Sequence, residues 1–471
     1  MDTVKIPKKG IQRDKVLEQM QAFRGDDANY HDSKTWSLVY YLGEEHTDFL
    51  KKAYAMYFSE NALNPMAFKS LKRFESEVVR MAADLLNGDD NTVGVMTSGG
   101  TESCLLPVVT YRDMARKKRR FIRPEMIAPQ SVHVAWEKAA HYFNVKMVHA
   151  PLMDDFRVDV DAVKKLINRN TIMIVGSAPS YPHGVLDPIG ELGELAEKRG
   201  VPLHVDSCLG GFFLPFVKKL GYPLEPFDFT VPGVTSISAD VHKYGYSAKG
   251  ASVILYRNMD YMRHQFFVHA DWPGGVFASP ALLGTRPGGA IAAAWASIMA
   301  MGEDGYLEAT REVMDTTARL IRGIEDIDSL KIMGNPIMGV FAYTGKDIFA
   351  VGDGMEDKGW HIDRLQRPNA LHAMVTPRHK EVVDLYLEDL RSSLRKTRDT
   401  PGLASRGNAA MYGMIADIPF RRMIRSQVLK MMEDMYGPKM VMPMDSGGDE
   451  SRIKQWLVAL ALRIFQSPDK L

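Results

Sequence analysis

The chain has 471 residues, 45% of them apolar and 25% charged, and its 59 basic and 58 acidic side chains leave a net charge of +1. That length asks for two packed units rather than one core, and the balanced charge gives no field to draw the chain onto nucleic acid or an acidic membrane surface. Two cysteines, Cys104 and Cys208, are too few for a disulfide scaffold and favour a reducing, cytoplasmic compartment.

Residues 1–60 read as a helical arm without its own core, and MDTVKIPKKGIQRDK has no apolar signal segment. Residues 61–310 are expected to form a large domain. In it, Val93 to Thr97 reads as a strand, Gly99-Gly100 as a turn, and Thr101 as the start of a helix that ends near the basic cluster Arg116 to Arg120. Further strands are expected at 125–128, 145–150, 171–177, 202–206, 234–238 and 252–257. Between them lie helical patterns at 131–143 (Ser131 as N-cap), 160–167 and 189–199. Alternation of this kind gives a mostly parallel, seven-stranded sheet in an α/β fold, with ligands at the carboxyl ends of the strands. The uncharged run from Pro287 to Gly302 is too short to span a membrane and reads as a tightly packed internal helix. No integral membrane segment is expected. Residues 311–471 read as a smaller α+β domain, with helices at 306–327, 379–396 and 423–435.

Four segments carry chemistry in a sensible order. Thr97 to Ser103 places two glycines before a helix start, where free N–H groups favour a phosphate; the GxGxxG dinucleotide spacing is absent. His133 could stack its flat ring on a cofactor. Leu203 to Asp206 is an apolar strand ending in a carboxylate, which is costly there unless paired. An Asp beside the pyridine nitrogen of pyridoxal 5'-phosphate (PLP) would meet that need and keep the ring able to accept electrons. Finally, His242-Lys243 follows another strand, with His242 free to bear on a phosphate and burial acting to lower the lysine's pKa. Each feature alone also has an ordinary structural reading. Together they point to PLP with Lys243 as its anchoring amine.

These segments, with GSAPSYPHGVLDPIGEL (Gly176 to Leu192), LHVDSCLGGFFLPF (Leu203 to Phe216), GVTSISADVHKYGYSAKGAS (Gly233 to Ser252), GTRPGG (Gly284 to Gly289), GEDGY, KGW and MYGM (Met411 to Met414), resemble fold-type I, group II PLP-dependent decarboxylases. Within that superfamily they resemble the branch that cleaves sphingoid base 1-phosphates, in a form without the eukaryotic N-terminal anchor. The HKYGYSAKG segment separates this branch from amino-acid decarboxylases, which tend to carry tryptophan where Tyr244 stands. The resemblance implies Lys243 as Schiff-base lysine, Asp206 as pyridine partner and His133 as stacking ring. Gly99, Gly100 and Thr101 fall on the phosphate turn, with His242 beside it. Lys249 and Tyr41 fall on residues for proton transfer and substrate binding, Asn61 and Asn64 on the substrate-phosphate segment. It also implies a homodimer whose active sites use both subunits, with Ser279 reaching the neighbouring cofactor. No metal is expected. The family's N-P-L-H-P is here Asn61-Ala62-Leu63-Asn64-Pro65, so an amide replaces a histidine; it can donate a hydrogen bond to phosphate but carries no charge. Phe277 also replaces a tyrosine common before Ala-Ser-Pro.

The expected reaction is retro-aldol cleavage to a long-chain aldehyde and phosphoethanolamine. The rival is an amino-acid decarboxylase of the same superfamily, and a more distant one an inactive binding protein of this fold.

Overall fold

The computed structural model describes residues 5–118, 123–400, 402–405, 408–409, 412–413 and 421–437. Met411 and Met414 of the MYGM motif, and Arg119 and Arg120 of the basic cluster, lie outside them.

Seven strands form the main sheet: β1 (Val93–Thr97), β2 (Glu125–Pro129), β3 (Lys146–Ala150), β4 (Thr171–Ser177), β5 (Leu203–Asp206), β6 (Val234–Ala239) and β7 (Ser252–Tyr256). Their order is β1-β7-β6-β5-β4-β2-β3, and β7 alone runs antiparallel, to both β1 and β6. Strands β4, β5 and β6 are buried along their whole length, as parallel strands covered on both faces must be, and TIMIVGS and VTSISA have the residues for it. Strand β3, at the edge, is buried only at Ala150.

The register matters for the site. Ser177 pairs with Asp206 and Asp206 with Ser238, so the carboxyl ends of β4, β5 and β6 are level. Because β7 reverses between them, β1 points the same way as β6. The turns leaving β1, β2, β4, β5 and β6 therefore open on one rim, where α/β sheets bind ligands.

The helices Gly100–Lys118 and Ala135–Phe143 cover one face, with Tyr111 and Trp136 packed among Met126, Met173 and Ile254. The expected helix from Ser131 starts instead at Ala135, with Val134 at its N-cap and no side-chain cap. Here His133 Nδ1 accepts the Ala135 N–H at 3.2 Å, one of the first-turn donors that have no carbonyl four residues back.

Gly288–Glu325 is helical on both sides of Gly302, whose backbone (φ 54°, ψ −177°) breaks the regular geometry. Its first half is the alanine-rich internal helix expected from the sequence. A two-stranded ribbon joins β8 (Phe267–His269) to β9 (Phe277–Ser279). The C-terminal part carries a smaller sheet of β10 (Leu330–Ile332), β11 (Val340–Gly345), β12 (Asp363–Leu365) and β13 (Ala370–Met374), in the order β10-β11-β13-β12.

The described residues divide into two compact units. One takes in residues 30–344 and 372–387 and holds the main sheet; the other takes in 5–29, 345–371 and the residues from 388 on. No helix among the described residues is long and apolar enough to cross a membrane.

Candidate active site

A cavity of about 370 Å³ opens on the carboxyl rim of the main sheet, and the turn after each of β1, β2, β4, β5 and β6 contributes to its walls. Five expected positions line it together: the Gly99-Gly100-Thr101 turn, His133, Asp206, His242 and Lys243.

The turn after β1 needs glycine twice. Gly99 has φ +151°, and a Cβ on Gly100 would stand 2.5 Å from an Asp240 carboxylate oxygen. Without side chains, the backbone lies open to the cavity at a helix start, where the first N–H groups have no carbonyl four residues back. His242 closes the other side. Its Cε1 lies 3.3 Å from where a Gly99 Cβ would be, and its Nδ1 accepts the Ala251 N–H at 3.2 Å. Burial lowers the His242 pKa, only partly opposed by Asp240.

Asp206 ends β5 with its carboxylate in the cavity floor. Trp136 Nε1 donates to Oδ2 at 2.9 Å and the Cys208 N–H to Oδ1 at 3.2 Å. Burial pushes its pKa up, but the Trp136 hydrogen bond leads the effects that outweigh it, and the net shift is downward. Asp206 therefore stays ionised. His204 adds no charge, because burial holds it at about 3, with Ser236 and Ser238 on its two nitrogens. Among the described residues nothing forms an ion pair with Asp206.

Lys243 lies in the turn after β6. Its Nζ is 2.9 Å from Oδ2 of the fully buried Asp240, and His242 Nε2 is 3.7 Å from the same oxygen. This corrects the expectation that burial would lower the lysine's pKa. Burial does act downward, but Asp240, with help from Cys208 and Tyr40, drives it well above the usual lysine range.

These residues fit PLP on their own geometry. A glycine turn left open by two missing Cβ atoms suits its phosphate, an ionised carboxylate without a cation suits its protonated ring nitrogen, and a primary amine stands in the same cavity. His133 offers a ring whose Nδ1 is already engaged by backbone and whose pKa burial lowers, so it is neutral.

The other expected residues lie elsewhere. Lys249 sits beside the cavity rather than in its lining. Its Nζ is 3.4 Å from the His242 carbonyl and 5.0 Å from the Tyr40 ring centre. Burial and the nearby Lys243, partly offset by Asp240, lower its pKa to about 8. Tyr41 donates to Glu44 at 2.8 Å, and it is Tyr40 that meets Lys249 and the ring of Tyr244. Asn61 accepts the Leu63 and Arg286 N–H groups, Asn64 those of Met66 and Ala67. Ser279 bonds to the carbonyls of Ala281 and Leu283 and lines a separate, mostly apolar cavity. None of these four lines the cavity of Lys243. Tyr244 is fully buried, its hydroxyl donating to the Val375 carbonyl at 3.0 Å.

Several site residues were missed by sequence reasoning. Tyr181, Asp240 and Cys208 line the cavity within segments already singled out, and Asp240 stands one turn before Lys243. Trp136 left no such signal, because the sequence does not say which face of its helix meets Asp206. We expect Trp136→Phe to weaken PLP binding at least about tenfold, since a hydrogen bond to a charged group contributes roughly 1.5–3 kcal/mol. An equilibrium titration followed by cofactor absorbance measures this, and an unchanged Kd would remove Trp136 from the role.

A glycine phosphate turn, a strand-terminal carboxylate and a lysine on the rim of this mixed seven-stranded sheet define the class of PLP-dependent enzymes of decarboxylase fold. Residues 38–346 match the pyridoxal-dependent decarboxylase conserved domain. The sphingosine-1-phosphate lyase of Arabidopsis thaliana is 46% identical over 92% of this chain and 81% of its own length. The solved structure of the sphingosine-1-phosphate lyase of Burkholderia pseudomallei superposes with a TM-score of 0.82 at 37% identity, covering 92% of this chain and 97% of that one. A probable L-aspartate decarboxylase of Pyrococcus furiosus is 33% identical over 76% of this chain and 95% of its own. The chain belongs to the pyridoxal-dependent decarboxylase family and, within it, to the sphingosine-1-phosphate lyases.

Proposed function

We propose that the chain cleaves sphingoid base 1-phosphates between the amine-bearing carbon and the hydroxyl-bearing carbon, giving a long-chain aldehyde and phosphoethanolamine. The observation that carries this is the cavity that sets Lys243, Asp206, His133 and the glycine turn together in a chain with sphingosine-1-phosphate lyase relatives. When bound, PLP offers an aldehyde carbon for an amine and a ring that takes up the electron pair released at the substrate's α-carbon. Lys243 would supply the anchoring amine, Asp206 would keep a proton on the ring nitrogen, and His133 and the glycine turn would hold the ring and the phosphate. A base removes the 3-hydroxyl proton as the carbon–carbon bond breaks, and an acid returns a proton to the α-carbon.

Lys249 suits the acid role and the substrate phosphate. With a pKa of about 8 it is mostly charged at neutral pH and loses its proton in mild alkali. In the free enzyme, kcat/KM should therefore fall as pH rises through about 8. Lys249→Arg, which stays charged throughout, should lose that descending limb. A limb kept at the same pH in the arginine variant would assign it to another group.

The rival reading, amino-acid decarboxylation, has the Pyrococcus furiosus relative in its favour. A product assay decides. Aldehyde with phosphoethanolamine from a sphingoid base 1-phosphate supports cleavage; carbon dioxide with amine, and no aldehyde, sinks it.

We further place Tyr41, Asn61, Asn64 and Ser279 in an active site completed across a homodimer in the cytoplasm. Support comes from their positions away from the Lys243 cavity and from the exposed apolar side chains of Phe267, Val268, Val276 and Leu282 near Ser279. Mixing an inactive Lys243→Ala chain with an inactive Ser279 variant should restore up to about a quarter of wild-type activity if random pairing builds one intact site per mixed dimer. Two inactive parents that stay inactive when mixed and exchanged would refute the shared site.

A further inference from the structure

The floor of the cavity holds a second donor set. Cys104, in the second turn of the helix after the glycine turn, and Cys208, two residues past Asp206, are the chain's two cysteines. Cys104 Sγ lies 3.8 Å from Asp206 Oδ2, and both sulfurs and a carboxylate oxygen lie within 4.8 Å of one another. The Cys208 thiol has one further neighbour, the Ser238 hydroxyl at 3.3 Å. All three residues are buried yet line the cavity, so an ion entering it meets them directly.

The spacing suits a metal. With metal–sulfur bonds of about 2.3 Å and metal–oxygen bonds of about 2.1 Å, a tetrahedral ion holds its ligands roughly 3.5–4 Å apart. Small rotamer shifts would close the observed triangle on that value. Two sulfurs and one carboxylate oxygen select thiophilic ions over magnesium or calcium, and cavity water can supply the fourth ligand.

We propose that Cys104, Cys208 and Asp206 form a binding site for a thiophilic divalent cation such as Zn²⁺ or Cd²⁺, open only while PLP is absent. The exclusion rests on the PLP reading of the cavity, since the carboxylate that would ligate the ion is the one that faces the ring nitrogen. Binding forms two metal–sulfur bonds, breaks two S–H bonds and releases two protons to solvent, with no change of oxidation state. It must therefore tighten as pH rises.

The experiment titrates Cd²⁺ into the full-length protein before and after PLP is stripped with hydroxylamine and dialysed away. In the stripped protein we expect one ion per chain, a sulfur-to-cadmium charge-transfer band, two protons released and slower reloading with PLP. The holoenzyme should bind none at this site. Cys104→Ser should weaken Cd²⁺ binding at least tenfold. Equal uptake by holoenzyme and stripped protein, or unchanged affinity in both Cys104→Ser and Cys208→Ser, overturns the proposal. Should either variant fail to fold, cadmium NMR of the wild type decides, because an ion with only oxygen and nitrogen ligands resonates far from one with two thiolates. If the protein took up no PLP at all, the cofactor reading would fail, while the cysteine variants would still decide the metal site.

Discussion

Lys243→Ala is expected to lose the yellow absorbance of bound cofactor and to lower kcat at least about a thousandfold, or about 4 kcal/mol of barrier. The lysine offers a primary amine in the cavity of the glycine turn, His133 and Asp206, and among the described residues no other lysine lines it. Its present state sharpens the test. Nζ is ion-paired at 2.9 Å with Asp240, a carboxylate with no solvent exposure. The alanine variant removes the ion-pair partner of that carboxylate, so it should also melt earlier; breaking a buried pair by removing one partner costs roughly 3–5 kcal/mol, less here because the lysine is partly exposed. Lys243→Arg separates the two effects. A guanidinium keeps the ion pair but cannot supply the amine. The arginine variant should melt close to wild type and still be colourless and inactive. Spectra and turnover like those of wild type in both variants would remove Lys243 from its role.

Much of the architecture was legible because its signals are local. Each strand of the main sheet is a short run rich in Val, Ile, Met or Thr, bounded by Gly, Pro or polar residues, and all seven fall where the pattern put them within about two residues. The rim location of the site followed from that alternation, and so did the gathering of Gly99, His133, Asp206 and Lys243. What was not legible depended on distance or on a choice between equals. The Trp136–Asp206 hydrogen bond joins residues 70 apart in sequence, and periodicity does not say which strand a helix face will meet. Tyr40 and Tyr41 are adjacent, so the backbone sends them to different surroundings, and only packing decides that Tyr40 meets Lys249. The start of the helix after β2 was misplaced because His133, not Ser131, satisfies its first backbone donor. The Lys243–Asp240 pair could have been read, since residues three apart in a tight turn meet, but attention to burial hid the nearer charge.

Asp206→Asn should keep PLP bound and lose most turnover, with kcat falling roughly a hundred- to a thousandfold, or about 3–4 kcal/mol. Retention is expected because the glycine turn, His242 and Lys243 remain, and because the Trp136 indole can still donate to the amide oxygen now in place of Oδ2. Turnover is lost because the carboxylate is ionised, lines the cavity and, among the described residues, forms no ion pair. Burial alone would push its proton affinity up, and it stays ionised because the hydrogen bond from Trp136 leads the effects that outweigh burial. An asparagine in the same cage is neutral. It cannot favour the proton on the ring nitrogen, and the ring then takes up the electron pair from the breaking carbon–carbon bond poorly. The effect should appear in kcat far more than in KM, since Asp206 would act on the cofactor ring rather than on the substrate. It should also appear without turnover, as an altered absorption spectrum of the bound cofactor at one pH. Asp206→Glu keeps the charge but moves it by one methylene, and should fall between the two if position matters as well as charge. Near-normal kcat in Asp206→Asn, with the spectrum unchanged, would mean that the cage around Asp206 serves packing alone.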